Sequence, residues 1–208
     1  MLLERGLMAP TLQFGPNDVF FIEDWASTPV GPYCGMVHFT PEDRRSLFAS
    51  TQRGMDLLST IHRADEKHLA QISSHRDADS WEFTVDGGDG GRFEFHLHYE
   101  ANLLKAANLM LPLVPKFIAL NPLYLKLAPK LAAPLLGTPP DYTMAGVTEM
   151  GRDSAFKLDR VFLITGGSCV QGGRDLGPLT QCCFRHDMGA YRPSPVAMMS
   201  ELQFYIKD

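Results

Sequence analysis

The 208-residue sequence has no basic excess, since its formal net charge is −5. Gripping nucleic acid requires a concentrated cationic face, so no nucleic-acid partner is expected. Cysteine is scarce: Cys34, Cys169, Cys182 and Cys183 are the only four, and the one close pair consists of chain neighbours, which disulfide geometry disfavours. Free thiols are expected. No apolar run approaches the roughly 20 uninterrupted residues of a transmembrane helix. Residues 1–11 carry Glu4 and Arg5 and lack the apolar centre of a signal peptide, so the expected location is cytoplasmic. There is no repeat of fixed period, which excludes a solenoid or propeller.

Hydrophobic residues at 45% and charged residues at 21% are enough to build one sizeable core. A single domain, 1–208, is expected. Short β-patterned runs dominate the first hundred residues: Thr11 to Phe14, Val19 to Glu23, Tyr33 to Phe39, Ser46 to Ala49, Leu69 to Ser73, Trp81 to Val85 and Phe93 to Tyr99. Asp86-Gly87-Gly88-Asp89-Gly90 has the composition of a hairpin turn. Met55, Leu58 and Ile61 recur at helical spacing between Gln52 and His62, with Thr51 as N-cap.

Residues 101–137 break this pattern. They are leucine-rich, contain Lys105, Lys116, Lys126 and Lys130 and lack any acid, while Pro112, Pro115, Pro122, Pro129 and Pro134 forbid one continuous helix. Two or three short helices are expected. Strands resume at Tyr142 to Glu149, Val161 to Thr165, Cys169 to Gln171, Gln181 to Phe184 and Leu202 to Ile206. The expected fold is therefore α+β: a mostly antiparallel curved sheet or closed β-barrel with a proline-broken helical cover, residues 101–137.

Motifs narrow the chemistry less. In Arg92 to Glu100 strict alternation places His96 and His98 on one face of a strand, where both can reach one divalent ion, or simply face solvent above a Phe93, Phe95, Leu97 and Tyr99 core. The spacing from Gly90 begins like the first metal motif of the cupins, but Asn102 and Leu103 stand where a glutamate is needed. A metal would require a further ligand, such as His38 or Glu149, and no cofactor is expected. Gly166-Gly167-Ser168 and Gly172 to Pro178 lack phosphate-loop spacing and read as turns, the second able to present Arg174 at a pocket mouth. A serine-hydrolase elbow is absent. Cys182 and Cys183 read as buried, inert thiols.

Lysine offers a concrete enzymatic alternative. Lys67 sits among His62, Arg63 and His68, and cationic neighbours favour a neutral, nucleophilic amine, although Asp65 and Glu66 can equally restore an ordinary surface balance. The order of strands, short helix, Glu66-Lys67-His68-Leu69-Ala70-Gln71-Ile72 and Trp81 to Tyr99 hairpin resembles the acetoacetate decarboxylase-like superfamily over residues 30 to 100. That resemblance implies a cone-shaped barrel and a lysine pair before a strand, with Lys67 matching one lysine and His68 standing in place of the other.

The function expected is that of a small enzyme of secondary or lipid-like metabolism, holding a hydrophobic carbonyl compound in a barrel pocket. Lys67 would be nucleophile or general base, His62 and His68 its tuning partners, and His38, Glu149 and Arg174 substrate contacts. Decarboxylase-like lyase, cyclase and isomerase chemistries all stay open. So do a non-catalytic carrier of a lipophilic molecule and a metal-dependent enzyme using His96 and His98. The acid-free helical segment reads as a lid or as a basic amphipathic surface for peripheral membrane contact, and homo-oligomerisation stays open.

Overall fold

The computed structural model describes residues 2–15, 18–42, 44–100, 104–136, 143–182 and 194–207. Among the described residues twelve strands form one sheet: β1 (Leu2–Phe14), β2 (Asp18–Ser27), β3 (Tyr33–Phe39), β4 (Arg45–Ala49), β5 (Glu66–Leu69), β6 (Gln71–Arg76), β7 (Ser80–Asp86), β8 (Arg92–Glu100), β9 (Ala145–Val147), β10 (Asp153–Gln171), β11 (Arg174–Thr180) and β12 (Met198–Ile206). Helix α1 (Gln52–Leu58) follows β4, and the Thr51 side chain caps it by accepting from the Gly54 amide. After β8 come α2 (Lys105–Met110), a 3₁₀ turn at Leu111–Leu113, α3 (Lys116–Ala119) and α4 (Pro122–Leu136). The fold is α+β with few helices, and the sheet is antiparallel except for the β4–β5 pair.

The main strand order is β5-β4-β3-β2-β1-β11-β10-β8-β7-β6, with β12 bridging β1 and β10. Its two ends, β5 and β6, are consecutive pieces of one chain segment, parted only at Ala70. The sheet therefore curls back until its ends meet through covalent continuity, without the unbroken ladder of a closed barrel. The expected strand Leu69 to Ser73 falls across this junction: its first residue pairs with β4 and the others with β7.

Other differences follow from long-range pairing. Val161 to Thr165 and Cys169 to Gln171 belong to one 19-residue strand, β10, which includes Gly166 and Gly167. Register shifts at Leu158/Arg160, Ile164/Gly166 and Ser168/Val170 bend it, so it can pair in turn with β9, β12, β8 and β11. Of Gly172 to Pro178, only the first two residues form the turn, and the remainder lies in β11. Gln181 and Cys182 lie outside any strand, whereas Cys183 and Phe184 fall outside the described residues. Of the Tyr142 to Glu149 run, Ala145–Val147 is strand and Tyr142 is outside the described residues. Helix α4 holds Pro129 and Pro134 in its interior and starts on Pro122, where the missing amide costs nothing.

Alternation on β8 buries Phe93, Phe95, Leu97 and Tyr99 and exposes His96 and His98. The buried set meets Phe14 of β1 and Phe20 of β2 and, from the adjacent strand β7, Phe83, with Phe20 and Phe95 at 5.1 Å between ring centroids in an edge-to-face contact. Phe95→Ala is expected to cost about 3–5 kcal/mol in urea unfolding, because it opens a cavity among the rings of Phe14, Phe20 and Phe83, while His96→Ala changes stability by no more than about 0.5 kcal/mol. Equal costs would contradict this facing of β8.

Candidate functional site

Strand β2 is buried on both sides, which its sequence VFFIEDW explains: Phe20 and Ile22 enter the aromatic core, and Phe21, Glu23 and Trp25 project from the other face. That second face lines a cavity. Its walls are completed by Met8 and Pro10 of β1, Phe156 and Leu158 of β10, and Met198, Ser200, Leu202 and Phe204 of β12. Its rim carries Ile61 and His62, just after α1, and Thr148 and Glu149, just after β9. The cavity encloses about 920 Å³ of atom-free space, its mouth included, of which about 90 Å³ admits the centre of a water molecule. This is room for a small organic molecule, in a lining suited to an apolar one.

Glu23 stands buried in this largely apolar wall. Burial raises its pKa, partly offset by nearby His62 and by the Trp25 and Tyr33 side chains. The Tyr33 hydroxyl donates to Glu23 Oε1 at 3.5 Å. Directly across the β2–β3 ladder stands Gly35, where a Cβ atom would lie 2.6 Å from Glu23 Oε1. Only glycine leaves the carboxyl its place. Glu4 of β1 is equally inaccessible, and neither of its carboxylate oxygens has a hydrogen-bond partner. Burial first and the Glu23 charge second push its pKa up to about 9. Burial thus favours the protonated form of both neighbouring carboxyls, most strongly that of Glu4.

At the rim, His62 Nδ1 lies 3.2 Å from Glu149 Oε1. The other Glu149 oxygen accepts from the Arg45 guanidinium and, at 3.0 Å, from the Arg63 amide. This carboxylate, 6% exposed, fixes the imidazole by accepting from Nδ1–H, leaving Nε2 as the free nitrogen. A tight turn presents Glu149: the Thr148 amide donates to Arg152 O, and Gly151 supplies the left-handed φ of +80°. Arg152 then reaches Thr60 Oγ1 at 3.0 Å, tying this turn to the end of α1. The chain Arg45, Glu149, His62 therefore joins three loop and strand ends that are far apart in sequence.

Of the residues singled out from sequence, His62 and Glu149 meet at this cavity. Lys67 does not line it: it is exposed on β5, beside a shallow groove with Gln52, Met55, Asp56, Ser59 and Leu69. His68 stacks on Phe48 at 4.9 Å. His38 faces the aromatic core, stacked on Phe20 at 4.4 Å with Nε2 2.9 Å from Asp18 Oδ1. Arg174 is exposed on β11. His96 and His98 face outward, His96 Nδ1 lying 3.5 Å from Glu82, and among the described residues no group of three or more potential ligands could hold a metal. Cys182 is buried, whereas Cys34 and Cys169 are not in disulfides, and burial pushes the Cys34 thiol up to about 12 and raises the Cys169 thiol as well. Those two are poor nucleophiles. Cys183 lies outside the described residues.

Glu4 and Glu23 were not picked out by motif. For Glu23 the available signal was an acid in alternation with Phe21 and Trp25 on one face of β2, an arrangement that costs free energy unless the acid stays neutral.

The site thus defines a class: a curled-sheet α+β protein with a mostly apolar cavity, a buried glutamate in its wall and a carboxylate-oriented histidine at its rim. No protein-family model matches the sequence, and no curated protein is similar to it. Among solved structures, acetoacetate decarboxylase from Legionella pneumophila resembles it with a TM-score of 0.47 and 9% identity, over 100% of this chain and 86% of that one. A second acetoacetate decarboxylase structure gives 0.38 and 14% identity, over 99% of this chain and 84% of that one. The likeness is a weak one of fold.

Neutral burial of Glu4 has a pH signature. Between its ordinary 4.5 and about 9 the folded protein keeps a proton that the unfolded chain has released. Stability contributed by this group is complete below the ordinary value and declines as pH rises through that window, by up to roughly 1.4 kcal/mol per unit. Glu4→Gln removes this slope. Thermal unfolding across the window is expected to show the melting temperature falling faster with pH in the wild type than in the variant. Parallel profiles would contradict a protonated Glu4.

Proposed function

We propose that the cavity binds a largely apolar carbonyl compound and transfers a proton at the carbon next to the carbonyl group, as in isomerase or lyase chemistry. The observation that carries this reading is that, among the described residues, Glu23, His62 and Glu149 are the three ionisable side chains lining a mostly apolar cavity. Each has a separate task. Protonated Glu23 donates a hydrogen bond to the carbonyl oxygen as it gains negative charge. His62 Nε2 takes the proton from the adjacent carbon, and Glu149, backed by Arg45, stabilises the resulting imidazolium. Return of the proton to the same carbon gives exchange, and return to a conjugated carbon gives isomerisation. A carboxyl kept neutral by its apolar setting suits such a donor role.

The test is deuterium incorporation next to the carbonyl of a panel of apolar ketones and 3-oxo acids in heavy water, followed by NMR. Wild-type protein is expected to accelerate exchange, and His62→Asn and Glu23→Ala to lose about 10²–10⁴ of that acceleration. Tight binding without exchange would overturn the catalytic reading in favour of a carrier. A borohydride-stable adduct mapped to Lys67 would instead place the chemistry at the groove beside α1.

A further inference from the structure

We infer that residues 104–136 form a docking surface by which the protein rests on an anionic lipid bilayer. The inward side of this segment is anchored. Leu104 is buried with Val161 and Met198, Asn108 exchanges hydrogen bonds of 2.8 Å with the Val161 backbone, and Ala119 and Pro129 are buried. The outward side is unlike an ordinary protein surface. Leu113, Phe117 and Leu131 are 72%, 77% and 78% exposed, and Leu109, Met110 and Leu123 are more than half exposed. On α4 the row Leu123, Leu127 and Leu131, at four-residue spacing, runs beside the exposed Lys126 and Lys130.

A contiguous apolar strip of this kind marks an interaction site, and its charge selects the partner. The segment has Lys105, Lys116, Lys126 and Lys130 and no acid, in a chain whose net charge is −5. A second copy of the chain docked symmetrically would set this lysine-bearing face against itself. An anionic bilayer supplies the missing charge and an apolar layer beneath it, with lysine stems reaching up to the headgroups while leucine and phenylalanine enter the acyl boundary. No helix among the described residues is long and apolar enough to cross a membrane, so the surface lies on the bilayer.

Flotation of the full chain with vesicles tests this, comparing pure phosphatidylcholine with a mixture containing about 30 mol% phosphatidylserine. Binding is expected to the mixed vesicles, with loss in high salt. Lys126→Gln/Lys130→Gln should weaken it by about thirtyfold, at roughly 1 kcal/mol per lysine, and Leu127→Asp/Leu131→Asp should abolish it. Because all four side chains are exposed, both variants are expected to melt like the wild type, which circular dichroism checks. Failure of the wild type to float, flotation unchanged in the leucine variant, or lipid-independent dimerisation through Leu127 and Leu131 would each overturn the inference.

Discussion

The constraint on which the site depends is the burial of Glu23 on a strand that has no solvent face. Because β2 packs Phe20 and Ile22 into one core and Phe21, Glu23 and Trp25 into another, its carboxyl cannot turn to water without turning the aromatic side chains as well. Burial therefore favours the protonated form, and Gly35 leaves the carboxyl its space. The Tyr33 hydroxyl acts the other way, donating to the carboxyl and partly offsetting the effect of burial. Glu4 is buried likewise on the neighbouring strand.

From this follows a division of labour between the two faces of the curled sheet. One face is filled by aromatic rings and holds the architecture together. The other is left with a cavity because β12 and β10 offer Ser200, Leu202 and Leu158 across from β2, with the roof made by chain ends after α1 and β9. Those ends bring His62, Glu149 and Arg45 into one ion-paired chain. A buried pair such as Arg45 and Glu149 stabilises little in itself, since desolvation offsets most of the attraction, but losing either partner would strand the other. Its value lies in holding the imidazole in one orientation.

Local pattern carried the reading of the elements further than that of the site. Tyr33 to Phe39, the β7–β8 hairpin and the Thr51-capped helix are decided by neighbours in sequence, and they were legible. Strand β11 was not, because its glycine and proline are local turn signals that pairing with β10 and β1 overrides. Nor was the splitting of Glu66 to Arg76, which depends on two different partner strands meeting at Ala70. In the site, His62 and Glu149 stood out as residue types, yet their contact spans 87 residues and only the turn at Gly151 creates it. Lys67 drew attention through its charged neighbours, but those neighbours turn to other partners: His62 to Glu149, His68 to Phe48, and Glu66 to Arg44 at the surface.

The proposed chemistry rests on a neutral Glu23 carboxyl facing the cavity. The most direct measurement is a carbon-detected NMR titration of the glutamate side chains, assigned with Glu23→Gln and Glu4→Gln. The expected result is two carboxyls still protonated near neutral pH, with the Glu23 signal shifting when an apolar ketone is added. If both ionise in the ordinary carboxylate range and neither responds to ligand, the neutral-donor account of this cavity is contradicted.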